Sequence, residues 1–260
     1  MKATILAIFS LMIILSSCRK NNDLEIMYVF ASGANFKSSV WHGLIGELNV
    51  KDIILVDSTE TNLPFDKITL DVVSKNLCQK LMSNHNKSYI FIAHSQGGAV
   101  VNHSLGLCPN IDVKSIFYIA AVIPKPGEKP FKLLSKEDEK HYFSGISYDE
   151  EKSALVISGQ EKLLNAFAQD ADNQERKIIL ESATSEPSLI AEGVVNYDFE
   201  KWHKVDKYYV FTQRDLVIAL ESQKKITKQF AFKSSLELDS GHLPIITRKK
   251  ELANFILRHN

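Results

Sequence analysis

The sequence predicts an α/β fold: a mostly parallel sheet flanked by helices on both faces, with an inserted cap. Three observations lead there. Short apolar runs alternate with helical patterns along most of the 260-residue chain, as a parallel sheet requires, because each parallel strand needs a crossover before the next. One unit, residues 89–101 (YIFIAHSQGGAVV), reads as strand, sharp turn and helix, with Ser95 at the tip of the turn. The alternation then breaks down between residues 125 and 203, a stretch too long for a simple loop, and resumes afterwards.

Taken in order, the chain opens on Met1-Lys2 and an almost unbroken apolar run at residues 3–15. The run is too short for a membrane-spanning helix, which needs about 20 residues, and reads as a signal peptide over residues 1–17. Its end, Leu15-Ser16-Ser17-Cys18, resembles a bacterial lipobox. In lipoproteins of that kind the cysteine is acylated and becomes the new N-terminus. Cys18 is therefore the expected lipidation site, and residues 18–23 form a short polar tether. The expected location is the bacterial cell envelope, with a membrane as partner through the lipid. Several acyl chains would anchor the chain firmly, since one alone binds marginally.

Residues 24–31 (LEIMYVFA) form the first expected strand, running into Ser32-Gly33-Ala34-Asn35. Residues 40–48 have helical spacing, with Trp41 facing the sheet. Residues 52–56 (DIILV) are a strand, residues 58–66 a polar loop and residues 68–82 an amphipathic helix. The elbow unit follows, then a buried strand at residues 115–121 (SIFYIAA), ended by Pro124, Pro126, Gly127 and Pro130. Residues 24–124 make the first part of the core, residues 125–203 the cap and residues 204–260 the second part of the core. In the cap, Phe131, Tyr142, Phe143, Phe167 and Trp202 are candidates to line an acyl pocket or to form the cap's own core. Residues 207–212 (KYYVFT) restart the alternation. A helix follows at residues 216–229, a last strand within residues 230–238 and a closing helix at residues 248–258.

The chain carries 31 basic and 31 acidic side chains, and that balance argues against nucleic acid as a partner, which calls for a basic excess. Charge clusters at residues 136–140 and 248–251 read as solvated helix faces. Cys78 and Cys108 are able to pair outside the cytoplasm, but two buried thiols are the expectation. No metal-ligand cluster or nucleotide loop is present in the sequence, so neither metal nor cofactor is implied.

The chemistry centres on Ser95. A serine hydroxyl is a weak nucleophile unless a base takes its proton and fixed donors stabilise the oxyanion. A tight elbow lifts Ser95 out of the packed chain and aims the Gln96 N–H at the same space. Ala93, Gly97 and Gly98 are the small neighbours such a turn needs, in the pattern G-x-S-x-G with its first glycine replaced by alanine. Ala34, in the loop after the first strand, is the candidate for the second oxyanion N–H. His242 follows the last strand in a Gly-His turn, and Asp215 follows the strand at residues 207–212. Ala34, Ser95, Asp215 and His242 thus all fall just after strand ends, where ligands bind in such sheets. The order Ser95, Asp215, His242 is that of an α/β-hydrolase triad. His242 is the expected base and Asp215 the residue that orients it. His94 is expected to face away from the nucleophile.

From about residue 28 onward the chain resembles the α/β-hydrolase branch of plant methyl esterases and hydroxynitrile lyases. The resemblance rests on FASGANFKSSVW, IAHSQGG, IFYIAAVIP, YYVFTQRD and SGHLPII. It implies an esterase fold with a mobile cap and a buried pocket. The lyases of that branch have a threonine at the position of Gly33 and a lysine directly after the catalytic histidine. Gly33 and Leu243 stand there in this chain, which favours ester hydrolysis over cyanohydrin cleavage. The family's usual His-Gly in the first loop is Ser32-Gly33 here. The expected activity is therefore a serine hydrolase acting on small or medium carboxylic esters through an acyl-enzyme on Ser95. The alternatives are an amidase, lactonase or thioesterase with the same triad, and a ligand-binding lipoprotein that has lost turnover.

Overall fold

The structure, a computed structural model, describes residues 24–84 and 86–260. The expected signal peptide, Cys18 and the expected tether lie outside the described residues. The core is one six-stranded sheet. Its strands in chain order are β1 (Glu25–Ala31), β2 (Ile53–Val56), β3 (Lys87–His94), β4 (Asp112–Ile119), β8 (Asp206–Thr212) and β9 (Ser234–Leu238). Between β4 and β8 lies a separate small sheet of β5 (Ile146–Asp149), β6 (Ala154–Ile157) and β7 (Glu186–Pro187). The large sheet runs β2-β1-β3-β4-β8-β9, and every neighbouring pair is parallel.

The central strands are apolar at nearly every position because both faces are covered. Phe117 and Tyr118 show this on β4, where consecutive side chains point to opposite faces. Phe117 packs edge-on against Phe255 of the closing helix α10 (Lys249–Arg258). Tyr118 turns the other way and donates to Asn102 of α3 (Gly97–Leu107). Helix α1 (His42–Leu48) joins α10 on the first face, and α2 (Leu70–Met82) joins α3 on the second. Helix α2 starts where the sequence provides a cap: the Thr69 hydroxyl accepts from Val72 N–H. Trp41 is fully buried beside Phe30, and its indole N–H donates to Ser32.

Cys78 and Cys108 are joined in a disulfide with their Cα atoms 5.7 Å apart, which corrects the expectation of two thiols. Packing of α2 against α3 brings the end of one helix beside the end of the other, a proximity that residues 30 apart in sequence do not reveal. The last helix before β9, α8 (Leu220–Thr227), is shorter than its apolar pattern suggests. Its expected first turn is instead a loop, because Val217 and Ile218 donate their N–H groups to the Asp215 carboxylate.

The stretch expected as a cap contains the small antiparallel sheet β5-β6-β7 with helices α4 (Lys136–Gly145), α5 (Gln160–Phe167), α6 (Asn173–Ser182) and α7 (Phe199–His203). Helices α4 and α6 each begin with a capping box, Ser135 with Asp138 and Asp172 with Glu175. Asp138 corrects the reading of residues 136–140 as a solvated face. Its side chain is fully buried and accepts from Ala219 N–H and the Ser222 hydroxyl at the start of α8. A capping carboxylate on one helix thus caps a second helix from the core. Trp202 packs with Phe199 and Phe230, under the buried Lys207 ammonium. Lys207 donates to three carbonyls, of Trp202, His203 and Val205, and burial pulls its pKa down to about 8.

Candidate active site

The site forms where the sheet's connections diverge. β1 leads to β2 on one side and β3 leads to β4 on the other, so the loops after β1 and β3 open a crevice between them. Ser95 sits at the tip of the turn from β3 into α3, with φ of 53°. That left-handed backbone is uncommon for a residue with a side chain and stores strain at the turn. The turn is held by Ser95 N–H to the Ile119 carbonyl and by the Ser95 carbonyl, which accepts from Gly98 and Val122. Gly97 is required by contact: a Cβ there would lie 2.4 Å from the Ala31 carbonyl oxygen.

The Ser95 hydroxyl is 3.0 Å from His242 Nε2, and His242 Nδ1 is 2.7 Å from Asp215 Oδ2. All three residues are buried. Asp215 is fixed by Val217 N–H, Ile218 N–H, the Thr212 hydroxyl and the Gln223 amide. With Nδ1–H donating to this carboxylate, Nε2 is left as the acceptor for the serine proton. The structure therefore brings Ser95, Asp215 and His242 into one hydrogen-bonded line. The other acids near in sequence are elsewhere: Asp239 is exposed and paired with Arg214, and Asp206 is paired with Lys233.

Ala34 and Gln96 meet across the crevice and line the same pocket as Ser95. Among the described residues, neither Ala34 N–H nor Gln96 N–H finds an acceptor. The N–H of Asn35 is already committed to Glu186. The pocket is lined by Val122, Phe131, Tyr142, Leu155 and Ile218 among others. Its polar lining residues are Ser95, Gln96 and Tyr142, and among the described residues no Asp, Glu, Lys, Arg or His side chain lines it. Of the cap aromatics, Phe131 and Tyr142 line the pocket, Phe143 is exposed, and Trp202 is not among the lining residues but stacks on Phe199 and donates to Tyr118 of β4. Phe167 stands edge-on to His242 at 5.6 Å and forms part of the wall behind the base.

His94 does not simply face away. Its ring lies 4.7 Å from that of His242, and its Nε2 is 2.7 Å from the His242 carbonyl oxygen. Burial, and then the neighbouring His242, hold its pKa well below the usual imidazole range. A neutral His94 donating from Nε2 therefore braces the backbone that carries His242. Its Nδ1 faces Gly33, where a Cβ would lie 2.8 Å from that nitrogen and 2.7 Å from Ser95 Cβ.

Sequence reasoning missed Asn35 and Glu186. Asn35 is buried with φ of 66°, and its side chain ties the first loop to the cap by donating to the Leu155 and Thr184 carbonyls and accepting from Tyr142. An asparagine in a Ser-Gly-Ala-Asn turn was the available signal, since asparagine tolerates left-handed backbone. Glu186 comes 90 residues after Gln96, and no local pattern marks it. Among the described residues no three His, Cys, Asp or Glu side chains converge as a metal site needs. No helix there is long and apolar enough to cross a membrane.

The sheet order, the strained turn after β3 and the two later strand ends that carry Asp215 and His242 define the α/β-hydrolase fold. No family model and no curated protein matches the sequence. Solved structures do. A pyrethroid hydrolase from Sphingobium faniae JZ-2 is 17% identical, with a TM-score of 0.72 over 90% of this chain and 96% of its own. A methylesterase from Arabidopsis is 17% identical, with a TM-score of 0.73 over 90% of this chain and 98% of its own. An extracellular α/β-hydrolase from a Paenibacillus species is 16% identical, with a TM-score of 0.73 over 90% of this chain and 99% of its own.

Proposed function

We propose that this chain is a serine hydrolase that cleaves carboxylic esters of small or medium size through an acyl-enzyme on Ser95. The observation that carries the proposal is the hydrogen-bonded line from Ser95 Oγ through His242 to Asp215, opening on a pocket with two uncommitted N–H groups. In this reading, Ser95 attacks the ester carbonyl while His242 Nε2 takes its proton. The carbonyl oxygen becomes an oxyanion between Ala34 N–H and Gln96 N–H. His242 returns the proton to the departing alcohol, then activates water to release the acid and regenerate Ser95. Asp215 stabilises the imidazolium without taking its proton.

The pocket supports a neutral, mainly apolar ester, since among the described residues no Lys or Arg lines it. Ester hydrolysis is favoured over cyanohydrin cleavage by two further features. The space beside Gly33 is closed to any side chain by Ser95 and His94, and Leu243 is a buried apolar residue. The similar solved proteins named as a pyrethroid hydrolase and a methylesterase are consistent with that reading. The test is hydrolysis of p-nitrophenyl esters of graded acyl length by wild type and Ser95→Ala. Turnover of short and medium esters that vanishes in the variant is expected. Turnover that survives in Ser95→Ala contradicts the proposal, and efficient cleavage of amides, lactones or thioesters alone moves it to the related acyl substrates.

We also propose that the chain is a lipoprotein of the bacterial cell envelope, anchored to a membrane through Cys18. The Cys78–Cys108 disulfide supports an oxidising compartment. Detergent-phase partitioning that is lost in Cys18→Ser is the expected result. Partitioning of both forms into the aqueous phase contradicts it.

A further inference from the structure

We propose that Glu186 is a positioning residue that sets the spacing of the two oxyanion donors; the inference rests on the hydrolase reading above. Glu186 belongs to β7 in the cap, yet its carboxylate bridges two loops of the core. Oε1 accepts from the Gln96 side-chain amide at 2.6 Å. Oε2 accepts from Asn35 N–H at 3.3 Å and from the Ser58 hydroxyl. Gln96 supplies one proposed oxyanion N–H, and Asn35 directly follows Ala34, which supplies the other. One carboxylate from the cap therefore grips the elbow and the first loop together.

The environment of Glu186 is not one that a merely structural acid would occupy. The residue is 1% exposed. Among the described residues it has no Lys, Arg or His as a hydrogen-bond or salt-bridge partner. Its ionisable neighbours are Asp57, which opposes its charge, and Tyr142, whose hydroxyl donates to Asn35. A buried carboxylate without a cation is costly, and an amide would meet the same groups at less cost. What the carboxylate offers is acceptors in two directions at once, so that it takes a donor from the elbow through Gln96 and another from the first loop through Asn35. Oxyanion stabilisation depends on donors lying about 2.7–3.1 Å from the oxygen, and losing one donor costs about 10²- to 10³-fold in kcat. Loosening the frame of both donors falls short of losing one.

The contacts also give the cap a route to the chemistry. Asn35 donates to the Leu155 and Thr184 carbonyls, and Thr184 N–H donates back to the Asn35 carbonyl. The cap strand that carries Glu186 thus lies directly on the first oxyanion loop.

The experiment compares wild type, Glu186→Ala and Glu186→Gln as full-length folded proteins. It reads kcat and KM on an ester that wild type hydrolyses, together with the rate of labelling by a fluorophosphonate. Glu186→Ala should lower kcat and the labelling rate about 10-fold or more with KM changed less than about 3-fold, since a loosened oxyanion frame acts in the transition state. Glu186→Gln should recover most of that loss. Its amide oxygen keeps Asn35 and Ser58, and its amide N–H meets Gln96 once that side-chain amide turns over. If Glu186→Ala does not fold, Gln96→Met removes the grip on the elbow while leaving its backbone N–H, and should lower kcat in the same sense.

An active wild type whose folded Glu186→Ala or Gln96→Met keeps its kcat and labelling rate overturns this inference alone. So does a Glu186→Gln as impaired as Glu186→Ala. A wild type that neither turns over esters nor takes the label overturns the hydrolase reading, and the inference with it. That outcome is visible before any variant is compared.

Discussion

Replacing Glu186 by glutamine should change how the stability of this chain depends on pH. Burial holds the Glu186 carboxyl up to about 7 from an ordinary value of 4.5, against hydrogen bonds from Ser58, Gln96 and Asn35 that pull it down. The folded chain therefore binds this proton more tightly than the unfolded chain does. The proton's contribution to stability is full below about 4.5 and is lost as pH rises through about 7. At about 1.4 kcal/mol for each tenfold difference in proton affinity, the loss across that window is about 3 kcal/mol. Glu186→Gln has no proton to lose, so subtracting its stability from that of wild type cancels the other titrating groups. Urea unfolding of both proteins at steps between about pH 4.5 and 8 gives the difference directly. Wild type should fall relative to the variant by about 3 kcal/mol over that range, steadily from about pH 4.5 and levelling off above about 7. A difference that stays flat, or that grows in favour of wild type as pH rises, would refute the reasoning that this carboxyl is buried without a cation.

Other perturbations test other parts of the account. Asp215→Asn should leave the fold intact but hold His242 in the wrong tautomer, lowering kcat by about 10³- to 10⁴-fold in a steady-state ester assay. Gly97→Ala should cost about 1–3 kcal/mol in urea unfolding, because the new Cβ meets the fixed Ala31 carbonyl and no flexible side chain is available to give way. Replacing Cys78 and Cys108 together by serine should cost about 3–4 kcal/mol of stability for a loop of this length, with little change in kcat, since the bridge lies away from the pocket.

Much of this was legible in the sequence because the signals are local. A buried parallel strand advertises itself as a continuous apolar run, and β3 and β4 do so. Ser95 and Asp215 follow such runs, His242 follows the half-exposed edge strand β9, and the order of the strand ends places the three at one end of the sheet. Ala34 and Gln96, expected as the oxyanion donors, line the pocket beside Ser95. The misses are of a different kind. Glu186, Asn35 and Asp138 act through contacts between the cap and the core, 81 residues apart for Asp138 with Ala219 and 90 for Glu186 with Gln96. Nothing in a stretch such as Ser-Glu-Pro distinguishes a buried acid from a solvated one. His94 was misplaced because the strand's alternation gives the side of the sheet and not what stands there; His242, arriving from β9, supplied the partner. The disulfide was missed for the same reason: the packing of α2 on α3, not the spacing of the cysteines, brings the sulfurs together.

The central claim is that Ser95 is an activated nucleophile. The most direct test is intact-protein mass measurement after exposure to a fluorophosphonate, with Ser95→Ala alongside. The account predicts one adduct per wild-type chain, mapped to Ser95, and none on the variant. Well-folded wild type that takes no adduct, or an adduct that persists in Ser95→Ala, would contradict it.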